Sequence, residues 1–251
     1  MPPIPSASDA VRVPRAEAIV ALDFPTWATA RPLVDRLGAG CRFYKVGLEL
    51  FTAEGPAVVR ELRQRGCDVF LDLKLHDIPN TMRGGARSAA ELGVRLLTVH
   101  ASAGAAGVAA AVEGAGDRCG VLAVTILTSL DAPQLAAAWG RPATAVDVDA
   151  EVLRLAGIAD AAGAHGVVCS GHEVAAVRRQ FAGRLECLVP GIRAAGERSD
   201  DQARVATPAA VVGAGARYLI LGRMVRDAAD PCVALDAVRR VLDDRDAVHP
   251  V

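Results

Sequence analysis

The sequence lacks the features of several protein classes. Its 251 residues carry a formal net charge of −1, which argues against general affinity for nucleic acid or an anionic membrane surface. No window approaches the roughly 20 uninterrupted apolar residues of a membrane span. Residues 1–15 are rich in Pro, Ser and Ala and have no apolar segment of the kind found in signal peptides. We therefore expect a tail over residues 1–15, a cytoplasmic location, and neither a nucleic-acid nor a membrane partner.

Metal and redox motifs are also lacking. The six cysteines form no C-x-x-C pair, and the five histidines do not have the spacing of metal ligands. We expect no metal site and no cofactor.

Lysine is nearly missing as well. Of the 28 cationic residues, 26 are arginine and two, Lys45 and Lys74, are lysine. Arginine does not readily release a proton, whereas lysine is compact and can act as an acid. The two lysines are therefore candidate functional residues, the alternative being that they persist by chance in an arginine-rich chain.

What the sequence does contain is an alternation of short apolar, β-branched runs with alanine-rich segments. Such strand–helix repetition predicts a parallel sheet. Eight units in 251 residues favour a single (β/α)8 TIM barrel over residues 16–251. An open doubly wound sheet is the alternative, but no G-x-G-x-x-G motif opens a helix after the first strand. The predicted strands are 18–24, 43–49, 69–75, 96–100, 121–127, 166–170, 185–190 and 218–222. The predicted helices are 27–37, 56–65, 82–92, 104–112, 149–162, 173–181, 208–213 and 231–242, with a short helix at 132–139.

Polar residues gather at the carboxyl ends of these strands, which is where barrel enzymes place their active sites. The group comprises Asp23, Lys45, Asp72, Lys74, His100, Thr128, Ser129, Ser170, Arg193 and Arg223.

The third strand carries the strongest chemical signal. Its alternation places Asp72 and Lys74 on the face opposite Leu71, Leu73 and Leu75. Two inward charges are costly unless they are paired, although a structural ion pair remains an alternative explanation. Carboxylates beside Lys74, from Asp72 and from Asp77 just beyond the strand, favour its ammonium form. Such an acid could protonate a carbanion, while Asp72 would repel a substrate carboxylate until CO₂ leaves.

The chain resembles the orotidine 5'-phosphate decarboxylase family. Residues 71–81 (LDLKLHDIPNT) are similar to the family signature D-x-K-x-x-D-I-P-N-T. Further similarities, in the expected order, lie at 22–23 (LD), 43–47 (FYKVG), 127–129 (LTS), 189–193 (VPGIR), 201–208 (DQARVATP) and 221–223 (LGR).

The resemblance implies a TIM-barrel homodimer that converts orotidine 5'-monophosphate into uridine 5'-monophosphate (UMP) and CO₂ in pyrimidine biosynthesis. It implies Lys74 as proton donor in a charged array with Lys45, Asp72 and Asp77, and Asp77 and Thr81 reach in from the other subunit. It further implies that Asp23 and Thr81 contact the ribose and Thr128 the pyrimidine. The residues it implies around the phosphate are Pro190, Arg193, Gln202, Gly222 and Arg223.

Two alternatives remain at this point. Sugar-phosphate decarboxylases or aldolases of the same superfamily share D-x-K-x-x-D but use Mg²⁺ and typically have an acidic residue where this chain has Lys45, whose charge would repel a metal. The other alternative is a barrel that binds a nucleotide without catalysis.

Overall fold

Eight parallel strands close into a barrel in the order β1 to β8, with β8 pairing back onto β1. The computed structural model describes residues 16–193 and 206–243. The predicted TIM barrel is confirmed, while the tail predicted over residues 1–15 lies outside the described residues. The strands are β1 (Glu17–Ala21), β2 (Phe43–Gly47), β3 (Asp68–Leu75), β4 (Leu96–His100), β5 (Gly120–Val124), β6 (Gly166–Val168), β7 (Glu186–Val189) and β8 (Tyr218–Leu221).

Helices cover the outside of the barrel. Several begin where the sequence supplies a cap or a first-turn proline: Thr26 and Asp131 each form a capping box. The helices are α1 (Trp27–Leu37), α2 (Leu48–Glu54), α3 (Pro56–Gln64), α4 (Pro79–Glu91), α5 (Gly104–Ala115), α6 (Ala132–Trp139), α7 (Val148–Ala161), α8 (Val174–Gln180), α9 (Pro208–Gly213), α10 (Arg223–Arg226) and α11 (Pro231–Asp243). No helix among residues 16–193 and 206–243 is long and apolar enough to cross a membrane.

Several strands end earlier than their apolar runs predict. The sequence predicts strand at residues 22–24, 48–49, 125–127 and 169–170, but these residues lie outside the observed strands. The two short helices α2 and α10 were not predicted. Both helices follow a strand almost directly, α2 after β2 and α10 after β8. Composition alone does not show where a strand ends, so the predicted boundaries fall too late.

The interior of the barrel changes character along its axis. Alternate residues face inward, and they are apolar near the amino ends of the strands but polar or small near the carboxyl ends. The series are Ile19–Ala21–Asp23 for β1, Phe43–Lys45–Gly47 for β2, Phe70–Asp72–Lys74 for β3 and Leu96–Thr98–His100 for β4. The apolar layer packs as an inner core, and a larger core fills the space between strands and helices.

A salt-bridge network covers the amino-terminal mouth of the barrel. Arg95 donates to both carboxylate oxygens of Glu17 at 2.6 and 2.8 Å and to Asp68 at 3.1 Å. Its guanidinium lies 4.7 Å from the ring centre of Phe43 in the inner core. The polar cavity described below is therefore at the opposite, carboxyl-terminal mouth.

Strand β3 is not the regular alternating strand that its sequence predicts. Leu71 pairs with Leu97 and Leu75 with Val99, so three residues of β3 lie opposite Thr98 alone. Lys74 adopts φ +51°, a conformation that non-glycine residues rarely take and that costs on the order of 1–3 kcal/mol. The strand bulges at the two charged residues, although Leu73 and Leu75 still pack against the outer core as expected.

Candidate active site

A cavity of about 500 Å³ opens at the carboxyl-terminal mouth of the barrel. Nine of the twelve site residues predicted from the sequence line it: Asp23, Lys45, Asp72, Lys74, Thr128, Pro190, Arg193, Gly222 and Arg223. Its floor is the inner core, through residues such as Phe70, Leu188 and Ile220. The cavity thus combines an apolar base with charged walls, as small-molecule sites commonly do.

Four charged side chains form a row of alternating sign, one just after β1 and the others on β2 and β3. Lys45 Nζ lies 2.7 Å from Asp23 Oδ1 and 3.9 Å from Asp72 Oδ2, and Lys74 Nζ lies 2.8 Å from Asp72 Oδ2. The side chains of Lys45 and Asp72 are only 11% and 13% exposed, and that of Lys74 is 29% exposed. Both lysines of the chain therefore belong to one array, in which each charge has an opposite neighbour.

Gly47 makes room for this array at the end of β2. A Cβ atom at this position would lie 3.0 Å from Lys45 Nζ and 3.5 Å from Asp23 Oδ1. Any larger residue would therefore press on the ion pair between these two side chains.

Two residues that the sequence analysis did not assign to the site contact the array. Thr98 is fully buried, and its hydroxyl accepts from the backbone N–H of Lys74 and donates to Asp72 Oδ1, both at 2.9 Å. Arg226 lines the cavity and donates from Nη1 to the carbonyl oxygen of Asp23 at 3.1 Å. The sequence pattern could have indicated Thr98, because it places a hydroxyl at an inward position of an otherwise apolar strand. Nothing in the sequence distinguishes Arg226 from the other 25 arginines.

The other wall of the cavity follows β7 and β8 and is cationic. Arg193, which is 8% exposed, and Arg223 line it together with Pro190, Gly191 and Gly222. Guanidinium groups bind phosphate and carboxylate oxygens through paired hydrogen bonds. Gln202, which the family resemblance implies as a phosphate contact, lies outside the described residues.

Thr128 occupies a third part of the wall, after β5. Ile126 and Leu127 line the cavity beside it, so this part of the wall combines one hydroxyl-bearing residue with two apolar residues. Such a site can hold a planar ring and offer it a hydrogen bond.

Asp77 and Thr81 do not join the array within one chain. Both are exposed and neither lines the cavity. The carboxylate of Asp77 accepts from the backbone N–H of Ile78 at 2.6 Å, and Ile78 is itself 67% exposed. The carboxylate neighbour of Lys74 in the structure is therefore Asp72.

His100 ends β4 next to the array. Burial lowers the pKa of His100, and the nearby charges of His76 and Lys74 lower it further, while Asp72 opposes them. The rings of His76 and His100 are 5.5 Å apart. The lowered pKa of His100 favours its neutral imidazole form at neutral pH, and that form adds no charge beside the array.

The carboxylates of the array already have cationic partners. Over the parts of the chain that the structure describes, no three His, Cys, Asp or Glu side chains are grouped to hold a metal ion. The ammonium group of Lys45 contacts both Asp23 and Asp72, so it already supplies positive charge to the two carboxylates nearest the cavity.

Comparison with known proteins gives a consistent picture. Residues 17–238 match the model of the orotidine 5'-phosphate decarboxylase / HUMPS family. The orotidine 5'-phosphate decarboxylase of Anaeromyxobacter sp. (strain K) is 54% identical over 227 residues, which cover 90% of this chain and 97% of the relative. That of Halorhodospira halophila is 47% identical over 228 residues, covering 88% and 93%. The crystal structure of orotidine 5'-phosphate decarboxylase from Lactobacillus acidophilus superposes with a TM-score of 0.80 at 34% identity, covering 92% of this chain and all of that one.

Proposed function

Because the chain belongs to the orotidine 5'-phosphate decarboxylase / HUMPS family, we propose that it decarboxylates orotidine 5'-monophosphate to UMP and CO₂ in pyrimidine biosynthesis. The observation that carries this proposal is the placement of the Lys74 ammonium, 2.8 Å from Asp72, in the wall of a closed-bottom cavity. The site offers a proton donor for the carbanion that the loss of CO₂ leaves on the ring carbon.

The step divides between these two side chains. The bond between the ring carbon and the carboxylate breaks, CO₂ leaves, and the electron pair stays on the ring carbon. The ammonium of Lys74 stabilises that charge as it develops and then transfers a proton to the carbon. The resulting neutral amine regains a proton from solvent.

Asp72 contributes before the bond breaks. A substrate carboxylate placed beside this anion is repelled, and the repulsion disappears as the carboxylate becomes neutral CO₂. An interaction that improves between ground state and transition state accelerates the reaction. Lys45 and Asp23 extend the row, so that Asp72 has a second cationic neighbour besides Lys74.

The remaining contacts place the substrate. Arg193 and Arg223 would bind the phosphate together with backbone near Pro190 and Gly222, and Gln202 is proposed on the same wall from the sequence. Asp23, 47% exposed, would accept from a ribose hydroxyl, and Thr128 would hydrogen-bond the pyrimidine. Binding the phosphate far from the reacting carbon supplies energy that orients the ring against the array.

We also propose that the enzyme is a homodimer in which Asp77 and Thr81 complete the partner's site. Both residues are exposed beside Ile78, an aliphatic side chain with 67% exposure. A solvent-exposed apolar residue next to two polar site candidates is consistent with a surface that another subunit covers.

The Mg²⁺-dependent alternative is less well supported. A metal would need the carboxylates of Asp23 and Asp72, and the ammonium of Lys45 already contacts both. The proposed reaction uses no cofactor. This cofactor independence and the cytoplasmic location remain predictions from the sequence.

The test is loss of the ultraviolet absorbance of orotidine 5'-monophosphate, with and without EDTA. The proposal expects full activity in EDTA, and a mock preparation from the host without the expressed gene, purified in parallel, measures contaminating host enzyme. Activity abolished by EDTA would favour the Mg²⁺-dependent reaction. Tight UMP binding without turnover would favour a non-catalytic barrel.

A further inference from the structure

A buried hydroxyl stands behind the charged array without reaching the cavity. Thr98 is 0% exposed and is not among the residues that line the cavity. It contacts both members of the proposed catalytic pair, through the backbone of Lys74 and the carboxylate of Asp72. Any role in the reaction must therefore be exerted through those two residues.

The bulge of β3 creates the first contact. Because three residues of β3 lie opposite Thr98, the backbone N–H of Lys74 points at the Thr98 side chain. The hydroxyl takes the place of a strand carbonyl as acceptor at 2.9 Å. It thereby supports a left-handed backbone conformation, φ +51°, at the residue whose side chain must reach the substrate.

The direction of the hydroxyl proton follows from that contact. With its oxygen accepting from Lys74 N, Thr98 donates its own proton to Asp72 Oδ1 at 2.9 Å. Oδ1 is thus engaged, and Oδ2 is the oxygen that faces Lys74 Nζ at 2.8 Å and Lys45 Nζ at 3.9 Å. The hydroxyl therefore restrains the rotation of the carboxylate so that one oxygen faces both ammonium groups.

We propose that Thr98 is a positioning residue that holds the carboxylate of Asp72 and the backbone of Lys74 in the relative positions that catalysis needs. The inference rests on the proposed decarboxylation. The carboxylate of Asp72 would rotate more freely about its terminal torsion without the Thr98 proton. The Lys74 backbone would at the same time lose the acceptor that stabilises its left-handed conformation. Displacements of about 1 Å at reacting groups can cost on the order of 100-fold in rate.

Three substitutions separate positioning from packing. Thr98→Val keeps the shape and removes the hydroxyl, whereas Thr98→Ser keeps the hydroxyl. Thr125→Val is the matched control, because Thr125 is also buried and donates at 2.9 Å, but to the carbonyl oxygen of Val168. Thr125 neither contacts the charged array nor lines the cavity.

We expect Thr98→Val to lower kcat by roughly 10- to 100-fold, as for the loss of a hydrogen bond to a charged group. KM and the UMP dissociation constant should change by less than about threefold, because the proposed phosphate contacts on β7 and β8 are untouched. Thr98→Ser should stay within about threefold of wild-type kcat, and so should Thr125→Val. If Thr98→Val does not fold, Thr98→Ala against Thr125→Ala provides the same comparison.

Equal losses in the Thr98 and Thr125 variants, a loss confined to KM, or no rescue by serine would each overturn the positioning role. The wild-type protein is assayed in parallel. If it fails to decarboxylate orotidine 5'-monophosphate, the proposed function fails; if it succeeds and Thr98→Val matches it, only the role of Thr98 is refuted.

Discussion

Replacing Asp72 by asparagine tests whether the array repels the substrate before it reacts. The substitution preserves size and removes the carboxylate that both lysines share. Two carboxylates about 4 Å apart repel by about 4 kcal/mol at an effective dielectric of 20. The ammonium groups at 2.8 and 3.9 Å from Asp72 offset part of this repulsion. If about half of the repulsion remains, roughly 2 kcal/mol, its removal corresponds to a change of about 30-fold in affinity.

The expected result is therefore specific to the substrate carboxylate. In Asp72→Asn, affinity for orotidine 5'-monophosphate should rise about 30-fold relative to affinity for UMP, which lacks the carboxylate, while kcat falls by at least that factor. Dissociation constants for both ligands can be measured by calorimetry, because the variant turns over slowly.

Asp68→Asn is the matched control for this experiment. Asp68 lies on the same strand, but it binds Arg63 and Arg95 at the opposite mouth of the barrel. It should leave both affinities and kcat nearly unchanged. If the affinities for substrate and UMP move together in Asp72→Asn, repulsion of the ground state plays no part and that element of the mechanism is refuted.

Three further predictions follow from other parts of the structure. Mixing inactive Lys74→Ala with inactive Asp77→Ala subunits should restore about a quarter of wild-type activity for a shared site, and no recovery despite subunit exchange would place Asp77 in its own chain's site. Gly47→Ala should lower kcat/KM at least tenfold, because the new Cβ would lie 3.0 Å from Lys45 Nζ. Unchanged kinetics would show that the ion pair of Lys45 and Asp23 can shift without loss of activity. The pKa values of His100 and His165 are lowered in the folded chain, chiefly by burial, so the unfolded chain binds more protons and the free energy of unfolding should fall as pH drops below about 6.5. Urea midpoints should show a shallower pH dependence in His165→Gln, and an unchanged slope would contradict this assignment.

Much of the fold could be predicted because its determinants are local. Helices α1, α6 and α9 coincide with their predicted ranges, since each begins beside a capping residue that is visible in the sequence. The inward positions of β1 to β4 follow from alternation alone, which is why Asp23, Lys45 and Asp72 could be assigned to one mouth of the barrel.

The parts that could not be predicted depend on contacts between elements. The bulge at Lys74 arises from the register of β3 against β4, and the pattern within a single strand does not contain that register. The contact from Thr98 to Asp72 is a consequence of the same bulge. Helix α2 begins directly after Gly47, where β2 leaves the barrel, and its apolar residues resemble a continued strand. Asp77 and Thr81 are exposed, so their proposed roles concern a second subunit rather than the fold of one chain.

The most direct test of the mechanism is the kcat of Lys74→Ala and Lys74→Arg with saturating orotidine 5'-monophosphate. Arginine restores a positive charge but does not readily release a proton. If Lys74 is the proton donor, both variants should lose at least about 10³-fold in kcat while still binding UMP within about tenfold of wild type. A Lys74→Ala enzyme that keeps kcat within about tenfold of wild type would contradict the assignment of Lys74 as the acid.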